Sequence, residues 1–102
     1  MTALTQHGAE RMRERAGLSR PAAVRIAERA YANGLHPKDF SGSFRRYLDG
    51  LYLSHGQAAN IRVYGEHVYL FSVEGRLITT LWLPKHFKKT VAKTRNKQQS
   101  AR

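Results

Sequence analysis

Apolar positions along this chain keep two periods, and the change from one to the other divides it. From Ala9 to Tyr52 they recur every three or four residues, the spacing of one face of an α-helix. From Ile61 to Leu83 they alternate or run together, as strands do. Ala9, Met12 and Ala16 make the stripe of a first helix, with Thr5 as its N-cap and Gly17 as its stop. Ser19 caps a second helix over about residues 20–32. Pro21 sits near its first position, where a missing N–H costs least. The inner face is Ala23, Ile26, Ala27, Ala30 and Tyr31, and Asn33-Gly34 closes the helix. A connector with Pro, Gly and two serines follows. The third helix starts near Ser41 or Ser43 and carries Phe44, Tyr47, Leu48, Leu51 and Tyr52 on one stripe, ending before His55-Gly56.

Three strands are predicted after it, over residues 60–64, 68–73 and 76–83, joined by turns at Gly65-Glu66 and Glu74-Gly75 and ended by Pro84. The last two strands are almost continuously apolar, so one sheet face must pack on the helices and part of the other must be covered too. The expected fold is α+β: three N-terminal helices packed on a three-stranded antiparallel meander over residues 1–84, then a basic C-terminal tail over residues 85–102. That tail is expected to be disordered, or helical when bound.

Charge changes the picture of what the chain meets. Eighteen Lys and Arg stand against seven Asp and Glu, a net of +11. From Lys85 onward there are seven basic residues and no acid, while the first 84 residues hold eleven basic and seven acidic, a net of +4. Such a chain favours anionic partners: nucleic acid first, ribosomal RNA included, then an anionic membrane surface. The expected partner is RNA, with a ribonucleoprotein or a protein as further candidates and no membrane. There is no cysteine, which removes disulfides and thiolate metal sites and is compatible with a reducing compartment. No apolar run is long enough to span a membrane and no secretory leader is read at the start, so the protein is expected to be cytoplasmic. No Walker loop, dinucleotide fingerprint, zinc spacing or nucleophile elbow occurs, and no cofactor or metal is expected.

Two constellations carry candidate chemistry. His7, Arg11 and Arg15 lie at i, i+4 and i+8 and so share one helix face. Imidazole supplies the acid or base that 2′-OH attack on RNA needs, and guanidinium forks stabilise the charged phosphorane. On the strands, Arg62 and Tyr64 are on one side of the first, Tyr69 and Phe71 share a face of the second, and Thr79 falls in a row with Leu77, Leu81 and Leu83. Aromatics with an arginine on a sheet also suit stacking of single-stranded nucleic acid. The alternatives are an ordinary solvated Arg–Glu helix face and a Thr79 hydroxyl bonded to backbone.

The segment HGAERMRERAGLS, a helix with histidine and arginines ending at a glycine turn, and the hairpin VYLFSVEGRLITTLWLP resemble small phage and bacterial proteins of the DUF4258 and RelE-like kind, within the barnase–EndoU–colicin–RelE ribonuclease-type fold. The resemblance implies helices before a meander and RNA as substrate, and it maps His7, Arg11, Arg15 and Thr79 onto catalytic positions. This chain departs from the pattern by its helix at residues 44–53 and by having no acid or base beside Thr79 on the last strand. Two functions follow as expectations. One is an RNA-binding, toxin-like protein that acts as a metal-independent endoribonuclease through His7, Arg11, Arg15 and Thr79. The other is a non-catalytic nucleic-acid or ribonucleoprotein-binding protein, ribosome-associated or an inhibitor in a phage or defence system. Its contacts would come from Arg45, Arg46, Arg62, Tyr64, Lys85, Lys88, Lys89, Lys93 and Arg95.

Overall fold

Val68, Tyr69, Leu70 and Phe71 are four consecutive buried residues, so the strand that holds them has no solvent face. The computed structural model describes residues 4–100 and shows how both faces are covered. The elements are α1 (Gln6–Ala16), α2 (Arg20–Asn33), a 3-10 turn at Pro37–Asp39, α3 (Gly42–Ser54), β1 (Asn60–Tyr64), β2 (His67–Phe71), β3 (Leu77–Trp82), a second 3-10 turn at Lys85–Phe87, and α4 (Lys88–Ser100). The strands form one antiparallel sheet in the order β1-β2-β3. The α+β class and the helices-then-sheet order are as the periods predict.

Cross-strand partners point to the same face. Ile61 and Leu70, with Val63, Val68 and Leu83, face Phe44, Leu48 and Leu51 of α3. Tyr69, Phe71 and Leu77 face Met12 of α1 and the small residues Ala23, Ala27 and Ala30 of α2. The sheet is therefore the middle of three layers. α3 alone does not fill its side. Phe87 and Val91, 8% and 1% exposed, complete that core, and the Phe87 ring lies 4.7 Å from that of Phe44.

This corrects the expected tail. The described residues hold four α-helices, not three, and the basic C-terminal segment up to residue 100 is helical, as α4, packed on the core through Val91. Its apolar signal is one valine and one alanine in thirteen residues, too sparse to show a period. No described helix is long and apolar enough to cross a membrane.

Both sheet edges are closed. Leu35 exchanges two backbone hydrogen bonds of 2.8 Å with Val63 on the outer edge of β1. On the outer edge of β3, the Thr5 amide donates to the Leu77 carbonyl at 3.0 Å, and the Thr5 hydroxyl donates to that same carbonyl at 3.0 Å. The hydroxyl also accepts from the Gly8 amide at 2.9 Å, so the N-cap of α1 is at once its weld to the sheet.

Two glycines owe their place to this closeness. A Cβ on Gly8 would stand 2.3 Å from the Leu77 carbonyl oxygen, and one on Gly34 would stand 2.5 Å from the Ala30 oxygen and 2.9 Å from the Arg62 Cβ. Gly34 closes α2 as expected, its amide donating to the Ala30 carbonyl, and with φ of −67° it is close approach rather than a left-handed backbone that requires glycine there. Gly17, with φ of 65°, does end α1 in the left-handed conformation.

The glycines give a two-signed test. Gly8→Ala should lower stability by about 1–3 kcal/mol, because α1 must lift from β3. Gly50→Ala, at an exposed site in α3 with nothing within 4 Å of the new Cβ, should raise it by about 0.5–1 kcal/mol. Urea unfolding of the two variants measures both. A Gly8→Ala protein as stable as the parent would mean that α1 does not sit this close to β3.

Candidate nucleic-acid interface

The α1 row forms as its spacing requires, but its members are in different situations. His7 is exposed, and its Nε2 accepts from Arg11 Nε at 3.2 Å. Arg11 also pairs with Glu14 at 2.7 Å. Arg15 turns inward and donates to the Thr80 carbonyl of β3. The row is thus a half-solvated ladder whose last guanidinium is tied to the sheet.

Thr79 does not join it. Pairing with Leu70 places Thr79 on the α3 side, and it is 2% exposed. The sheet separates it from α1. The expected row of Leu77, Thr79, Leu81 and Leu83 is broken because the β2–β3 register shifts: Leu70 pairs with Thr79 but Phe71 pairs with Leu77, leaving Ile78 as an extra residue. Leu77 therefore faces α1 and α2, while Leu81 and Leu83 pack on the other side. The threonine on the α1 side is Thr80, fully buried, whose hydroxyl donates to the Val68 carbonyl at 3.3 Å.

Arg62 is also committed to structure. It is 9% exposed, and its guanidinium donates to the carbonyls of Tyr31 at 3.1 Å and Ile61 at 3.0 Å. It also lies 4.9 Å from the centre of the Tyr31 ring. Arg45 pairs with Asp49 at 3.1 Å and reaches the Pro37 carbonyl at 3.3 Å, while Arg46 is exposed.

The remaining basic candidates gather on α4. Lys88 pairs with Glu66 at 3.2 Å, and Arg95 donates to the Gly65 carbonyl at 3.1 Å, so this helix runs along the β1–β2 turn. Val91 marks its buried side. Lys89 and Lys93 are exposed, as is Lys97; at i, i+4 and i+8 they share the side away from Val91. The three are about 6 Å apart along the axis at 1.5 Å per residue. Lys85 is exposed just before the helix.

A second feature lies at the turn end of the sheet. Tyr64, His67 and Trp82 are cross-strand partners, one from each strand, and form a transverse aromatic row on the α1–α2 side. The His67 and Trp82 rings are 4.3 Å apart, and Trp82 is 56% exposed, a ring face open to stacking. His67 Nε2 is buried and has no hydrogen-bond partner among the described residues. Burial lowers the His67 pKa, Arg15 lowers it further, and Glu66 opposes them. Beside it, burial next to Tyr64 pushes the Tyr69 phenol up to about 12, so it stays a neutral hydroxyl. Of this row, the sequence reading picks out Tyr64 alone. Counting back through the turns at Gly65-Glu66 and Glu74-Gly75 pairs Tyr64 with His67 and His67 with Trp82, so hairpin arithmetic is the signal that finds it.

The arrangement offers cations, π faces and amides, and no clustered acids. No three His, Asp or Glu side chains among the described residues stand close enough together to hold a metal ion. No family model, curated protein or solved structure matches the chain.

The state of His67 sets a pH dependence. The unfolded histidine takes its proton near the ordinary imidazole value of 6.5, and the folded one only lower. Below that value the unfolded chain binds a proton that the folded chain refuses, so stability falls as pH falls. His36, lowered chiefly by burial and by Arg62, acts in the same direction. Urea midpoints between about pH 7.5 and 5.5 should decline, and His67→Phe should make the decline shallower. An unchanged slope in that variant would show that His67 protonates as readily folded as unfolded.

Proposed function

We propose that this protein is a non-catalytic RNA-binding protein that grips the phosphate backbone with α4. The observation that carries the reading is the acid-free lysine face Lys89–Lys93–Lys97 on a helix anchored in the core by Phe87 and Val91. Fixed cations on a rigid element attract a polyanion and release its counterions on contact. These lysines work against their own helix: like charges at i, i+4 destabilise it by about 0.2–0.5 kcal/mol per pair. Lysines in the first turn oppose the helix dipole by about 0.3–1 kcal/mol each. A bound polyanion removes both costs. Lys85 adds a cation just before the helix, Lys88 is paired with Glu66, and exposed Arg46 adds charge elsewhere on the surface. Trp82 and Tyr64 supply stacking for unpaired bases. RNA is chosen over DNA on the sequence resemblance of residues 7–19 and 68–84 to ribonuclease-type proteins, and ribosomal RNA is included because a lysine face reads charge rather than sequence.

The endoribonuclease reading keeps one observation in its favour, the 3.2 Å contact between His7 and Arg11. Against it, Thr79 lies across the sheet and Arg15 is spent on a β3 carbonyl.

Replacing Lys89, Lys93 and Lys97 together by Gln should weaken binding to single-stranded RNA by about tenfold or more. It should also make the slope of log K against log salt shallower by about 2, the share of three phosphate contacts. The melting temperature should hold or rise, since the repulsions are gone. Anisotropy titrations at several salt concentrations read the first two. A triple variant that binds like the parent sinks the proposal. His7→Ala should bind as the parent does, and labelled RNA incubated with the parent protein in EDTA should stay intact. Cleavage that His7→Ala abolishes would put the catalytic reading in its place.

A further inference from the structure

A groove of about 530 Å³ opens between the end of α2, the outer edge of β1 and the inner side of α4. That size falls within the range of small-molecule sites. Leu35, Val63, Tyr64 and Gly65 line it on the sheet side. Asn33 stands on the α2 side, and Arg95 and Gln98 come from α4. Among the described residues no carboxylate lines it.

The chemistry of these groups narrows what fits. A peptide cannot add here as a strand, because the outward amide and carbonyl of Val63 are both taken by Leu35 at 2.8 Å. Recognition must come from side chains. Asn33 and Gln98 are exposed, and each amide offers a donor and an acceptor side by side. That pattern matches the N6 and N7 edge of adenine. Arg95 spends one N–H on the Gly65 carbonyl at 3.1 Å, which fixes its guanidinium and leaves other donors for a phosphate.

We infer that this groove takes one unstacked adenine nucleotide of the bound RNA, its base read by Asn33 and Gln98 and its phosphate on Arg95. The inference rests on the RNA-binding reading and adds base preference to it. One helix then serves twice. Its outer lysines hold backbone without regard to sequence, and its inner Arg95 and Gln98 select a base.

The test uses the full chain, with oligo(A), oligo(U) and AMP as probes, and the double variant Asn33→Ala/Gln98→Ala, whose two sites are exposed and should leave the melting temperature unchanged. The parent should bind oligo(A) about tenfold more tightly than oligo(U), the discrimination of one good amide–base pair. The double variant should bring oligo(A) down to the oligo(U) level while the salt slope stays. Calorimetry should show one AMP bound by the parent and none by the variant. Equal binding of both oligomers, or an adenine preference that survives the double variant, overturns the groove assignment and leaves backbone binding by α4 standing. AMP bound by the parent and lost in the variant, with neither oligomer held, supports the groove and sinks the RNA reading. If no probe binds, both fall.

Discussion

A strand buried on both faces is an unusual demand for a chain this short, and the architecture follows from meeting it. β2 presents Val68 and Leu70 to one side and Tyr69 and Phe71 to the other, all of them buried. An antiparallel sheet with one helical layer would leave one of those pairs in water, at about 1.5–3 kcal/mol for each large side chain. α1 and α2 cover one face with a mostly small-residue surface, Ala23, Ala27 and Ala30, which lets the backbones approach. α3 covers the other, but it falls short of closing the core, and Phe87 and Val91 fill what remains. The C-terminal segment is thereby drawn into the fold.

The same magnitudes decide what α4 is when nothing is bound to it. Its lysines oppose the helix by a few tenths of a kcal/mol per neighbouring pair, with a further fraction for each lysine near the positive end of the dipole. Burial of Phe87 and Val91 contributes about 1.5–3 kcal/mol for each side chain. The Lys88–Glu66 pair and the Arg95 bond to Gly65 add smaller, partly screened amounts. The apolar anchors win, so α4 holds as a helix and its lysines stand on a fixed face.

Much of this was legible in the sequence. Thr5 and Gly17 bracket α1, Ser41 precedes α3, and Gly65-Glu66 turns β1 into β2 as composition and periodicity indicate. What was not legible has three physical sources. The register shift beside Phe71 is decided by packing on both faces at once, and it moved Leu77 away from Thr79. Gly8 and Gly34 are required by the approach of another segment, which no local spacing records. Val91 is a single apolar residue in a polar run, and its importance lies in a gap left by α3 that only the assembled core defines. The α1 row was read correctly as a shared face, but a face alone does not say which members turn inward.

Where the arginines turn inward, they do one kind of work. Arg15 reaches the Thr80 carbonyl, Arg45 the Pro37 carbonyl, Arg62 those of Tyr31 and Ile61, and Arg95 that of Gly65. Each of these is a main-chain oxygen at a strand, a helix end or a turn, and a guanidinium can satisfy it while keeping other N–H groups in hand. Thr5 does the same for Leu77. A three-stranded sheet has few interior ladder positions, so much of its polar backbone lies at edges and ends that side chains must serve. The arginines of the α1 row and of β1 are partly absorbed by that requirement, whereas the outer lysines of α4 are not needed by any carbonyl that the described residues show. Charge alone marked both sets equally. Closing the sheet sorts them, leaving the lysine face as the surface most open to an anionic partner and Arg95 as the one guanidinium that both supports a turn and lines the groove beside it.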